Sequence, residues 1–193
     1  MPNPPLFAKY PLKFLLLWIF ATFGGFVVSL FWVEIGEQSE IGAISAAVGG
    51  LAIALPQSLI LRDTIFTLKW ILFTPIAWVI LTILGVGAVG WIVPNSELLP
   101  LRLLYSVTSG IVGGFGIGTA QWLAIRQPKS WAWQWILVNS LTWALAIPIG
   151  STVGFLLHRL TQLFVGEILG LAITWLIVAI LTGINAYQLF KGH

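Results

Sequence analysis

Six runs of apolar residues, at about 12–33, 41–61, 70–93, 103–125, 133–157 and 164–190, dominate this chain. Each comes close to the roughly 20 residues that a helix needs to cross the hydrocarbon of a bilayer. Such runs are too long for strands, and within lipid a helix satisfies its backbone donors and acceptors inside one segment. The chain therefore reads as all-α: a polytopic transmembrane helix bundle of six spans, forming a single integral membrane domain over 1–193. Only 8% of its residues are charged and 59% are hydrophobic, whereas a soluble domain carries about 25% charged residues to cover its surface.

The first run could belong to a cleaved secretory signal, since cations precede it. It continues to Val33 with no small-residue cleavage site after a short core, so it reads as a retained span. Pro2, Pro4, Pro5 and Pro11 make the segment before it an extended arm.

Charge sorts by side. Lys9, Lys13, Arg62, Lys69, Arg126, Lys129 and Lys191 fall on the N-terminal side of the spans, against Arg102 and Arg159 opposite. By the positive-inside bias both termini face the cytoplasm. Glu34, Glu37, Glu40, Glu97 and Glu167 fall on the second side, although acids weigh little in that bias. Trp70, Trp122, Trp131, Trp133 and Trp135 gather at one boundary and Trp32 and Trp91 near the other, the pattern of an interfacial aromatic belt.

An internal repeat sits inside this frame. Residues 46–62 (AAVGGLAIALPQSLILR) return at 110–126 (GIVGGFGIGTAQWLAIR), with Val48, Gly49, Gly50, Ile53, Gln57, Leu59 and Arg62 reappearing 64 positions on. Trp70, Ile71, Leu72, Trp78 and Gly85 return as Trp135, Ile136, Leu137, Trp143 and Gly150. The copies span about 46–85 and 110–150. Because each unit holds two spans, both copies cross in the same sense, a parallel tandem repeat of two-helix units. Gly183, Ile184 and Gln188 suggest a decayed third copy, 67 residues after Gly116, Ile117 and Gln121.

This pattern resembles a group of uncharacterised multi-pass bacterial membrane proteins, cyanobacterial in type, built on Gly-rich helices ending G-x-x-x-Q-W-L-x-L-R. GIGTAQWLAIR (116–126) carries the match, with IALPQSLILR (53–62) as the first copy and W-x7-W helices following at Trp70/Trp78 and Trp135/Trp143. Ser58 and Pro56 depart from it. The resemblance implies a bacterial cytoplasmic membrane, or a thylakoid membrane, and no particular activity.

Gly110, Gly114 and Gly118 stand four apart and form a small-residue groove on one helical face; Ala46, Gly50 and Ala54 form its counterpart. Small residues let helix backbones approach in lipid, where no hydrophobic drive brings them together. These glycines lie inside a span and are not a nucleotide loop. Gln121 and Gln57 share those faces and read as polar clamps between helices, near the boundary because each precedes an arginine by five residues. Arg62 and Arg126 read as headgroup anchors. Asn139 and Ser140, facing Thr74 and Pro75, are the expected buried polar contact between copies, and Pro75 and Pro148 the expected kinks.

Little here suggests catalysis. Without cysteine, and with His158 and His193 as its histidines, the chain offers no metal or cofactor set, and no H-E-x-x-H helix occurs. Acid–base work needs paired titratable groups; the one constellation is His158 and Arg159 meeting Glu167 at the outer surface. Scattered basic residues argue against nucleic acid. The expected function is that of a non-enzymatic helix-packing interaction or assembly component. Its expected partners are the lipid bilayer and a membrane protein or a second copy in a homo-oligomer. The alternative is a passive transporter or carrier of a small neutral solute or lipid, with a polar cavity near Asn139 and Gln121.

Overall fold

The structure, a computed structural model, describes residues 10–35, 41–62, 67–94, 96, 98–126 and 131–191. The proline-rich arm through Lys9, and Glu37, Glu40, Asp63, Glu97, Lys129 and His193, lie outside the described residues. Six helices follow one another: α1 (Pro11–Ser29), α2 (Ala43–Leu61), α3 (Thr67–Ile83), α4 (Leu99–Ile125), α5 (Gln134–Thr161) and α6 (Val165–Phe190). Among the described residues there is no strand. Pro11 and Pro100 open α1 and α4, where a missing N–H costs nothing. Gln162, with φ 58°, closes α5 in the left-handed conformation.

All helices except α3 are long and apolar enough to cross a membrane. Each packs on its neighbours in sequence, and α6 returns against α1, so the six close into a ring. The near end of the ring is the one at which α2 and α4 finish, by Arg62 and Arg126. Pro56, Pro75 and Pro148 lie inside continuous helices.

The third span departs from the sequence expectation. Instead of running to residue 93, α3 stops at Ile83, and its 17 residues rise about 25 Å. Gly85, Gly87 and Gly90 then adopt φ of 80°, 87° and 100°, which only glycine takes without strain. In the second copy Gly150 stays helical, and α5 continues to Thr161. Residues 84–94 turn back into the far end of the ring, burying Ala88, Val89 and Trp91. Irregular backbone at such a position requires protein partners for its carbonyls. Indoles supply them: Trp78 Nε1 donates to the Val89 carbonyl at 2.9 Å and Trp175 Nε1 to the Gly90 carbonyl at 2.8 Å. Trp91 itself donates to Ser29 Oγ at 2.8 Å.

Candidate functional site

The interior is built from residues four apart, one helical turn each. On the odd helices these are Trp18, Thr22 and Phe26; Trp70, Thr74 and Trp78; and Trp135, Asn139 and Trp143, all buried. The even helices answer with Ile53, Gln57 and Leu61; Ile117, Gln121 and Ile125; and Val178, Thr182 and Ala186, likewise buried. A four-residue spacing keeps side chains on one face, so every helix points a single stripe at the ring axis.

Trp18, Trp70 and Trp135 meet there as a triangle. Their ring centroids lie 6.2 Å (Trp18–Trp70), 6.2 Å (Trp18–Trp135) and 5.8 Å (Trp70–Trp135) apart. Each indole donates to the preceding even helix in the ring: Trp70 to Gln57 Oε1 at 3.3 Å, Trp135 to Gln121 Oε1 at 2.9 Å, and Trp18 to Thr182 Oγ1 at 3.0 Å. The two amides reach the other way. Gln57 Nε2 donates to Thr22 Oγ1 at 2.9 Å and Gln121 Nε2 to Thr74 Oγ1 at 3.4 Å. One girdle thus ties α6 to α1, α1 to α2, α2 to α3, α3 to α4, and α4 to α5. Buried indole N–H and amide groups in a lipid-surrounded interior need such partners.

The α5–α6 contact lies outside the girdle and uses glycine. A Cβ on Gly150 would collide with Thr174 and the Gly170 carbonyl, and one on Gly170 with the Gly150 carbonyl. Thr174 Oγ1 donates to the Ala146 carbonyl at 3.3 Å. The α4 groove seats α5: a methyl on Gly110 would stand 2.6 Å from the Trp143 carbonyl oxygen, and one on Gly114 2.6 Å from that of Asn139. Gly118 faces Ile136 Cα at 3.0 Å, and Gly50 faces Pro75 Cα of α3 at 2.7 Å, both measured from a built Cβ. Ala46 and Ala54 are buried on the same helix as Gly50. Arg62 and Arg126 are exposed at the near end, Arg126 with its guanidinium 5.6 Å from the Trp122 ring.

Several expectations are corrected. Trp70, Trp135 and Trp91 do not form an exposed aromatic belt but are fully buried, because their indoles find acceptors inside the ring; Trp32, Trp131 and Trp133 are exposed. Asn139 does not bridge the copies: its Nδ2 donates to the Trp135 carbonyl of its own helix at 3.0 Å, while Ser140 Oγ donates to the Ile111 carbonyl of α4 at 3.0 Å. The bond between copies is Gln121 to Thr74. In α6 the position answering Gln57 and Gln121 is Thr182, and Gln188 is exposed.

Glu167, named with His158 and Arg159 as the one acid–base constellation, pairs instead with Arg102. Glu167 is buried against Arg102, Nη2 to Oε2 at 2.5 Å, and Arg102 Nε donates to Ser151 Oγ at 2.7 Å. Arg102 lies one turn inside α4 and Glu167 inside α6, so their opposite charges, with Ser151 of α5, join three helices away from water. His158 Nδ1 contacts the Leu163 carbonyl at 3.0 Å and Arg159 lies 4.5 Å from the Phe155 ring. The sequence puts Arg102 in an outer loop and Glu167 at the outer surface, and the 65 positions between them leave no local sign of the pair.

The axis holds a void of about 20 Å³ bordered by Trp18, Gln57, Gln121, Asn139 and Thr182, room for about one water molecule. A much larger hollow, about 940 Å³, opens at the side of the ring beside the turned-back segment. Among the described residues no group of His, Asp or Glu could hold a metal ion. No family model, curated protein or solved structure matches this chain.

Proposed function

We propose that this is a non-enzymatic integral membrane protein that acts through its packed helical surface, as an interaction or assembly component. The observation that carries this reading is the closed axis. A void of about 20 Å³ lies where a carrier would need a path past Asn139 and Gln121, and tryptophans close it on both sides. Repeated two-helix units, in this reading, build a rigid ring rather than a moving one. The charge asymmetry supports both termini in the cytoplasm, and the resemblance of the Gln121 helix to cyanobacterial-type proteins supports a bacterial cytoplasmic membrane, with a thylakoid membrane as the other location.

The test is isolation in mild detergent with mass determination of the intact particle. A stoichiometric membrane-protein partner, or a homo-oligomer, supports an assembly role. A monomer that moves neutral solute or lipid across reconstituted vesicles overturns it in favour of a passive carrier. Reporter fusions at the two termini check the orientation.

A further inference from the structure

We propose that the side hollow is a seat for one hydrocarbon chain of a membrane lipid. The inference goes beyond the assembly role and stands independently of it. The hollow exists because α3 ends early. Where a longer helix would have continued, the 84–94 segment folds inward and leaves about 940 Å³ against α4, α5 and α6. That volume lies within the roughly 300–1,000 Å³ of ligand sites.

Depth and opening point to lipid. On the α4 wall the hollow runs from Tyr105 to Val112, about 9 Å to about 20 Å from the start of the helix at Leu99. Tyr105 and Val112, which line it, are exposed. In a membrane-spanning ring, exposed apolar side chains at such a depth meet acyl chains.

The chemistry of the wall agrees. It contains no charged residue among those described. Its threonine and serine hydroxyls already donate to carbonyls of their own helices, Thr82 to Trp78, Thr108 to Leu104, Ser109 to Tyr105 and Thr174 to Gly170, while Tyr105, also on the wall, is exposed. The Val89 and Gly90 carbonyls accept indole N–H groups. A polar solute would lose hydration and find these hydroxyl hydrogens engaged, whereas a hydrocarbon chain gives up nothing. Water is a poor filling for the same reason, since each buried molecule wants two to four polar partners.

The full chain, reconstituted in phosphatidylcholine vesicles carrying a diazirine-acyl phosphatidylcholine, provides the test. Photolabelling should fall on 85–94 and 105–112 several-fold above the lipid-facing stretch 137–145 of α5. Val112→Trp, which fills the mouth, should remove that excess while leaving α5 labelling and the melting temperature unchanged. Because the chain has no cysteine, Thr108→Cys separates the other occupants. Fast reaction with a membrane-impermeant maleimide marks a water-filled vestibule, and disulfide-linked dimers mark a second copy of the chain. Either result, or labelling no greater than on α5, overturns the proposal.

Discussion

Trp135 Nε1 donates to Gln121 Oε1 at 2.9 Å, and the same indole touches both Trp18 and Trp70. One residue therefore links α5 to α4 by a hydrogen bond and to α1 and α3 by ring contact. Gln121→Leu removes its acceptor and also releases Thr74, leaving a buried indole N–H without a partner. Interhelical bonds of this kind are worth about 0.6–2 kcal/mol in a bilayer, and about 1 kcal/mol moves a domain this size by roughly 2–4 °C. Gln121→Leu should lower the detergent melting temperature by a few degrees. Trp135→Phe should overlap with it rather than add, because both remove one bond. Fully additive losses in a double-mutant cycle would mean that the bond contributes nothing.

Gly114 tests packing rather than bonding. A Cβ there stands 2.6 Å from the Asn139 carbonyl oxygen and 2.8 Å from Ser140 Cα, both backbone atoms that cannot step aside. Gly114→Ala should destabilise by about 1–3 kcal/mol, the usual range for overpacking, and Gly114→Leu by more. Gly24, in α1, has nothing within 4 Å of a built Cβ. Gly24→Ala should be neutral or slightly stabilising, because alanine favours the helix. Equal melting shifts at the two positions would show that the α4 groove does not hold α5.

How much of this was readable in the sequence depends on whether a contact is local. The Gly110–Gly114–Gly118 groove and the Gln121 face follow from a period of four along one helix, and the helices themselves follow from hydropathy. The inward stripe of α1 is readable in the same way. Trp18, Thr22 and Phe26 keep the spacing of Trp70, Thr74 and Trp78, but they sit in the first span, ahead of the two repeated units. The tryptophans were misplaced because an indole suits both a membrane boundary and a buried site with an acceptor, and composition cannot tell which acceptor is near. The end of α3 was hidden because Gly85 and Gly150 occupy matching positions, yet only Gly85 leaves the helix. Arg102 and Glu167 pair across 65 positions, a distance that no local pattern spans.

That ion pair leads to a prediction with a sign. Side-chain exposure is 4% for Arg102 and 7% for Glu167, so removing one partner leaves the other charge buried and uncompensated. Glu167→Leu and Arg102→Met should each cost about 3–5 kcal/mol, the range found for breaking buried pairs. The double substitution should recover much of that loss, since two apolar side chains need no partners. Single variants with unaltered melting would show that the pair is solvated in the membrane rather than sealed among α4, α5 and α6.

Trp91 carries the turned-back segment, and its removal should act locally. Its ring lies 5.1 Å from that of Trp175 and 5.5 Å from that of Trp78, and its Nε1 reaches Ser29 of α1. Trp91→Ala would empty the space facing Gly49, whose built Cβ comes 2.7 Å from the indole. Large-to-small changes at such sites cost about 3–5 kcal/mol. Because 84–94 is held by side chains rather than by helical bonds, much of that cost should appear as local opening. Hydrogen exchange at 84–94 should rise steeply in Trp91→Ala, while the amides of α4 and α5 beside the Trp135–Gln121 bond keep their protection. Uniform loss of protection around the ring would mean that the segment and the girdle unfold as one cooperative unit.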